Sequence, residues 1–248
     1  MKNISILIII FIITSNLSAQ KYYNNFTCIS MGVSVPLDDF AITDINNKGA
    51  GYAQSSFFLN FDGAYLFSPY IGINGMFSFA NNTLNTTKVK ENLKIRIKEQ
   101  YPDLVIPDEL YVSYNLGVWN HIGLQIGPIV TLPMERLNID LRALGGLSFV
   151  LPPSDELYFY NTETGQEFRT ISDNKEAISW GYTLGVGFRY FMSEQYILRF
   201  IFDYSYTEAS IEISNNFTEA GLPPDITRTN YTQAMGAIHV GLGIGYHF

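Results

Sequence analysis

Six ionisable side chains occupy equivalent positions in a two-residue alternation that recurs along the chain. Three are carboxylates and three are guanidinium groups, so their formal charges cancel. Because a buried charge is costly unless an opposite charge accompanies it, these groups predict a network of internal ion pairs if their face is turned away from water. A polar conduction path or gate, in which the pairs exchange partners, is the functional alternative. The six residues are Asp62, Asp140, Arg142, Arg189, Arg199 and Asp203.

The three histidines of the chain share that same alternation face. An imidazole beside a serine and an acid could serve a hydrolase or an acyltransferase. His239 and His247 lie on one segment, where eight residues of extended chain separate them by roughly 26 Å, so they cannot share a metal ion or a proton. An enzyme would therefore need a serine or an acid within hydrogen-bond reach of His121 or His239. The sequence itself predicts no catalytic, cofactor-binding or metal-binding residue.

A basic cluster lies between residues 81 and 110. It is open to three interpretations: a solvated loop, a strand, or an amphipathic helix with Val89, Leu93 and Ile97 on one side. Alternatively, its positive charge could pair with phosphate groups of a lipid surface. The cluster consists of Lys88, Lys90, Lys94, Arg96 and Lys98.

Charge and cysteine content argue against a nucleic-acid partner and against an internal disulfide. The net charge of -8 and the pI near 4.8 argue against a nucleic-acid partner, which requires a concentrated basic surface. Cys28 is the single cysteine, so the chain forms no internal disulfide, and we expect this thiol to fill buried space rather than to react. The hydrophobic content of 47% supports an ordered chain with a large core or a lipid-facing surface.

The first twenty residues differ in character from the rest. Lys2 is followed by an apolar run from Ile4 to Ile13, and small residues at Ser18 and Ala19 precede Gln20. This arrangement is typical of a secretory signal peptide, and we predict that residues 1–20 are removed. The alternative, a membrane anchor, needs about 20 apolar residues to span a bilayer as a helix, and the run is shorter.

Alternation of apolar with small or polar residues predicts strands with two different faces. The pattern is cleanest from Ser179 to Phe191, where large apolar side chains occupy every second position. A segment ending at Leu132 could divide into a hairpin at Asn120 and His121, but its apolar parity continues through that point, so we predict one strand. Eight strands are predicted in all: Phe26 to Pro36, Ser55 to Phe67, Tyr70 to Ala80, Tyr111 to Leu132, Arg136 to Val150, Ile178 to Met192, Gln195 to Thr207 and Met235 to Phe248.

Short and long connections alternate between these predicted strands. The short turns fall near residues 68–69, 133–135 and 193–194, and the long polar connections near 37–54, 81–110, 151–177 and 208–234. Outer-membrane barrels combine short periplasmic turns and long extracellular loops with an even strand number and aromatic girdles. The sequence therefore predicts an all-β fold over residues 21–248, an eight-stranded antiparallel up-and-down transmembrane β-barrel with both termini in the periplasm.

A soluble barrel of the lipocalin kind is the competing interpretation, because it shares the up-and-down topology. Its apolar face points inward. In this chain that face carries large aromatic rings, while the opposite face carries glycines and ionisable groups that suit a narrow interior. Because so many large rings do not fit into the interior of a small barrel, we expect the aromatic face to contact lipid.

The last residues resemble the signal by which outer-membrane proteins engage their assembly machinery. Gly243, Tyr246 and the terminal Phe248 match its glycine, aromatic and aromatic spacing, although Gly241 replaces the polar residue that usually precedes the glycine. The resemblance implies that the barrel assembly machinery is a partner.

The mature chain as a whole resembles the outer-membrane β-barrel domain proteins of Bacteroidetes. The likeness rests on the export sequence ending in Ser18, Ala19 and Gln20, on Gly127 and Pro128, on the stretch from Leu141 to Gly146, and on the final strand. It implies an outer-membrane location and a barrel fold, and it adds little about function.

These observations together predict a monomeric barrel without a cofactor, held in outer-membrane lipid, that anchors extracellular recognition loops in a structural or interaction role. A narrow channel for ions or small solutes is the rival, and it requires an open bore lined by Arg142, Arg189 and Arg199. A lipid-modifying enzyme is the third hypothesis.

Overall fold

The computed structural model describes residues 25–44, 46–47, 49–100, 117–160, 167–219 and 225–248. The predicted signal peptide lies outside these ranges, as does the first part of the strand predicted from Tyr111. The strands are β1 (Phe26–Leu37), β2 (Ser56–Leu66), β3 (Ile71–Asn82), β4 (Trp119–Pro133), β5 (Leu137–Leu151), β6 (Asp155–Tyr160), β7 (Glu167–Asn174), β8 (Ala177–Phe191), β9 (Tyr196–Glu219) and β10 (Asp225–His247), and the helices are α1 (Asp38–Ala41) and α2 (Thr86–Gln100).

Eight of these strands form a closed antiparallel ring. Each strand pairs with its neighbour in the order β10, β1, β2, β3, β4, β5, β8, β9, and β9 pairs back onto β10. The remaining strands, β6 and β7, attach outside the ring, where β7 pairs with β9. The predicted eight-stranded barrel is confirmed. Strand β4 runs without interruption through Asn120 and His121, so a hairpin at that point is wrong.

The two faces of the barrel wall have opposite chemistry. The outward face presents large apolar side chains to the surroundings, with Phe61 57% exposed, Leu124 57% and Trp180 76%. The inward face carries buried polar and charged groups. A soluble barrel would hide its aromatic rings in the interior, so the lipocalin interpretation is wrong. Immersion in lipid removes this outward apolar surface from water, which stabilises the barrel in a membrane.

Two of the short turns use the same serine chemistry. Ser68 Oγ accepts hydrogen bonds from the backbone N–H groups of Tyr70 and Ile71 at 3.3 and 3.0 Å. Ser193 makes the equivalent bonds two and three residues ahead, at 3.3 and 3.1 Å. These local bonds favour a reversal of the chain and fix the register of the strands on either side.

Two of the long connections contain strands that the sequence pattern did not predict. β9 extends beyond Thr207 to Glu219, and β10 begins at Asp225 rather than at Met235. We call β6, β7 and these extensions, residues 208–219 and 225–234, the blade. Past Thr207 the apolar positions of β9 change parity: Ala209 and Ile211 are buried, whereas Phe200 and Phe202 lower on the strand are exposed, so the pattern that marks a membrane strand stops there.

The connection from 81 to 110 holds helix α2, so the strand and solvated-loop interpretations are wrong for residues 86–100. Lys88 and Glu91 form an exposed ion pair on it at 2.7 Å. In the described ranges, neither helix has the length and apolar content that crossing a membrane would require.

Candidate functional site

The centre of the barrel holds a buried ion-pair network. Arg142 of β5 lies between two carboxylates, with its Nη1 2.9 Å from Asp62 Oδ2 on β2 and its Nη2 2.5 Å from Asp203 Oδ2 on β9. Its Nε also donates to Asp203 Oδ1 at 3.2 Å, so this pair is bidentate. One guanidinium group therefore links three strands through the interior.

A second part of the network lies between β8, β9 and β5. Arg189 forms a bidentate pair with Asp140, with Nε and Nη2 at 2.6 and 2.8 Å from its two oxygens. Arg199 Nη1 pairs with Asp62, which is thus shared by two arginines. Arg189 and Arg199 face one another across the β8 and β9 ladder. The Phe26 ring contacts both guanidinium groups, at 4.1 and 4.8 Å from its centroid, and together with the carboxylates offsets their repulsion.

Two glycines of β8 make room for these groups. A Cβ atom on Gly185 would overlap Asp203 Oδ1 and lie 3.0 Å from Arg142 Nε. A Cβ atom on Gly187 would lie 3.0 Å from Arg199 Nε and Nη2. The small residues on the inward face of β8 are therefore the space into which the charged side chains fit.

The structure brings all six predicted charged residues into the interior, each of them buried. Asp62, Arg142, Asp203 and Arg199 form one connected group. The pair of Arg189 and Asp140 lies beside it. Opposite charges match one for one, as burial in a region of low dielectric constant requires.

Apolar layers close the bore on both sides of the network. Toward the end of the barrel that carries the short turns, Phe26, Leu66, Ile129 and Ile197 are buried together, and toward the end that carries the long connections Phe58 and Ile201 pack with Ala80. An eight-stranded barrel is just wide enough for side chains to fill it, and these layers fill this one.

A cap covers the mouth of the barrel at the end that carries the long connections. It consists of residues 38–44, 46–47 and 49–54, including helix α1. Phe40 of α1 points into a buried cluster, with its ring centroid 5.7 Å from that of Trp119. Hydrogen bonds fasten the cap to the barrel: Trp119 Nε1 donates to Gly51 O at 2.9 Å and Gln233 Nε2 donates to Gly49 O at 3.0 Å. The cap forms a second closure above the apolar layers.

Below the cap lies a small cavity, which we call the upper chamber. Its volume is about 10 Å³, roughly the minimum that holds one water molecule. Two of the three histidines line it, whereas His247 lies at the opposite end of the barrel, with Nδ1 3.0 Å from Glu194 O. The lining residues are Ser34, Phe40, Ala80, Asn82, His121, Ser205, Thr207, Met235, Ala237 and His239.

One serine lies beside a histidine in this chamber. Ser205 Oγ is 2.8 Å from His239 Nε2, a contact that the sequence pattern did not identify because it depends on the register between β9 and β10. No carboxylate hydrogen-bonds to His239 among the described residues, and both members of the pair are buried. The chamber is too small for an acyl substrate. The arrangement therefore lacks the orienting acid and the access that a hydrolase needs.

The described part of the chain contains no group of three or more histidine, cysteine, aspartate or glutamate side chains that could hold a metal ion. Cys28 is buried near Ser30, in the apolar layer that contains Phe26 and Ile197.

The C-terminal residues of the final strand lie on two sides of the wall. Tyr246 and Phe248 are exposed on the outside with their rings stacked at 6.4 Å. Gly243 packs closely against β1, where a Cβ atom would lie 2.5 Å from Ile29 O. Recognition of these three residues by an assembly machinery stays a prediction.

A family model described as the outer membrane protein beta-barrel domain matches residues 9–248. The chain belongs to this family. Its place is the bacterial outer membrane, where the outward aromatic face contacts lipid. No curated protein matches this outer-membrane barrel.

Several solved structures are similar to this outer-membrane barrel. They include Ail, the attachment invasion locus protein of Yersinia pestis (15% identity, TM-score 0.40, 91% of this chain and 99% of that chain). A major outer membrane protein from Thermus thermophilus has 12% identity and a TM-score of 0.46 over 91% of this chain and 98% of its own. The N-terminal barrel domain of Pseudomonas aeruginosa OprF has 10% identity and a TM-score of 0.36 over 92% and 100%. The roles of these proteins do not carry over to this chain.

Proposed function

We propose that this outer-membrane barrel is a closed anchor that displays a surface-interaction structure and does not conduct solutes. The observation that carries the proposal is the filled bore. A solute crossing the barrel would have to pass the cap, an apolar layer, six paired charges and a second apolar layer. A channel needs continuous water through its bore, and the cavity below the cap has a volume of about 10 Å³, enough for one water molecule.

The blade supplies the surface for interaction. Residues 208–219 continue β9 beyond the barrel and correspond to roughly 40 Å of extended chain. β7 and β6 widen this extension to a four-stranded sheet. An ion pair of 2.9 Å joins Lys175 to Glu212 at its base, and the hydrogen bond from Lys175 lowers the pKa of Glu212. Binding residues commonly occupy such connections because a rigid scaffold positions them while their sequence remains free to vary.

We further propose that the barrel acts as a monomer, without a cofactor and without a nucleic-acid partner. It is exported by the signal peptide of residues 1–20, assembled through Gly243, Tyr246 and Phe248, and originates in Bacteroidetes. We also propose that the positive charge of α2 pairs with phosphate groups of outer-leaflet lipopolysaccharide.

Conductance measurement separates the anchor from the channel. We expect the refolded protein to give no steady discrete openings in a planar bilayer, while heat-modifiable gel mobility shows that its barrel has closed. Openings that disappear in Arg199→Ala would instead make the protein a narrow channel. A variant that removes the Phe40 ring, Phe40→Ala, should stay silent as well, because the network and both apolar layers remain below the cap.

Labelling of intact cells tests the display of the blade. In a Cys28→Ser background we expect Thr229→Cys, which is exposed on β10 above the barrel, to react with a membrane-impermeant maleimide. Ser193→Cys, in a turn at the opposite end, is the matched control and should react only after the outer membrane is permeabilised. The reverse pattern would place the blade in the periplasm and overturn its role at the cell surface.

A further inference from the structure

Two imidazole nitrogens on residues lining the upper chamber have no protein partner. They are His121 Nε2 on β4 and His239 Nδ1 on β10, and both atoms are buried. His239 is only 8% exposed. A buried polar atom without a partner costs free energy, so these two nitrogens indicate that the chamber holds a ligand or a water molecule.

The hydrogen bond to Ser205 favours one tautomer of His239. If Nε2 carries the proton and donates to Ser205 Oγ across 2.8 Å, the lone pair of Nδ1 is left for the chamber. Histidines that bind metal ions generally donate their second ring N–H in this way, which orients the ring and raises the basicity of the ligand nitrogen. Ser205 thus has the position of a residue that orients a metal ligand.

The position of the two histidines in the ring allows them to approach one ion from opposite walls. β4 and β10 stand four places apart in the eight-stranded ring, so their inward side chains start from opposite walls of the bore, and both histidines line the same cavity. The cavity that both histidines line has a volume of about 10 Å³, which is enough for one ion. The thioether side chain of Met235 adds a soft, polarisable group to the lining.

The charge of the chamber selects the class of ion. Its lining contains no carboxylate or thiolate. A divalent ion such as Zn²⁺ prefers four ligands, and its buried charge would lack compensation here. Two neutral imidazoles beside a thioether suit a soft monovalent ion. We propose that the upper chamber binds one monovalent ion of the Cu(I) class through His121 Nε2 and His239 Nδ1.

Silver ion is the probe, because Ag⁺ shares the charge and softness of Cu(I) and needs no reductant. The folded protein in detergent is equilibrated with Ag⁺, desalted and analysed for metal per chain, in a Cys28→Ser background that removes the one thiol. We expect one ion per chain. Ser205→Ala should weaken binding by about tenfold, because it removes only the orienting bond. His121→Asn and His239→Asn should each weaken it further.

His247→Asn is the matched control, since this histidine lies at the other end of the barrel and should leave binding unchanged. Gel mobility shows that each variant has a closed barrel. The proposal is overturned if the folded parent binds no Ag⁺, which means that a water molecule occupies the chamber. It is also overturned if the variant lacking both His121 and His239 binds as well as its parent. Tighter binding of Zn²⁺ than of Ag⁺ through the same histidines would contradict the assigned class.

Discussion

Replacing Arg142 by methionine is expected to lower the free energy of unfolding by about 3 to 5 kcal/mol. Asp203 has no other ion-pair partner among the described residues, so the substitution leaves its carboxylate buried and uncompensated. Asp62 keeps its contact with Arg199 and suffers less. Urea titration in phospholipid vesicles, followed by the fluorescence of Trp119 and Trp180 and by gel mobility, measures the loss.

A double variant separates the unpaired charge from the lost packing. Arg142→Met combined with Asp203→Leu removes both partners and leaves two arginines matched by two aspartates, so we expect it to recover most of the stability. Glu212→Gln breaks only the partly exposed pair with Lys175 and should unfold close to the wild type. A single Arg142→Met variant that unfolds within about 1 kcal/mol of wild type would show that the network contributes no more than a surface pair.

Gly185→Ala is expected to destabilise the barrel by about 3 kcal/mol, although it adds a single methyl group. The new Cβ atom would occupy the position of Asp203 Oδ1, so either the bidentate pair with Arg142 breaks or β8 moves away from β9. The same titration measures this change. Movement of β8 away from β9 would also lower the cooperativity of unfolding, whereas a broken pair of Arg142 and Asp203 would not, so cooperativity distinguishes the two responses.

Gly75→Ala on β3 is the control for Gly185→Ala, because nothing lies within 4 Å of its Cβ position. It should leave the free energy of unfolding unchanged or raise it by up to about 1 kcal/mol, since alanine restricts the unfolded chain. Equal losses in both variants would mean that the cost comes from the strand backbone and that the space beside Asp203 is unimportant.

The barrel wall was predictable from sequence because each of its residues faces either lipid or a crowded bore. This contrast gives period-two alternation, and the parity that places Trp180 outside also places Arg189 inside. The same parity grouped all six charged residues correctly on the inward face. It could not say which carboxylate each arginine meets, because that depends on the register between strands and on the stagger of the closed ring.

The blade and the upper chamber could not be predicted from the sequence pattern, for related reasons. Beyond Thr207 the apolar residues Ala209 and Ile211 take the inward parity that polar groups hold lower on β9, so the pattern of the membrane strand does not continue there. Ser205 and His239 are offset by two positions in the β9 and β10 register, where His239 faces Asp203 and Ser205 faces Ala237. Only the paired backbone shows that the hydroxyl and the imidazole meet.

The uninterrupted ladder between β9 and β10 has a mechanical consequence. Its register continues from Asp225 opposite Phe217 to Tyr246 opposite Tyr196, from the blade down to the end of the wall that carries the short turns. A pull on the blade draws β9 and β10 in the same direction, so the load passes to their ladders with β8 and β1, where many hydrogen bonds are loaded together in shear. Tension on a bound partner would thus be spread along the barrel wall into the lipid around it.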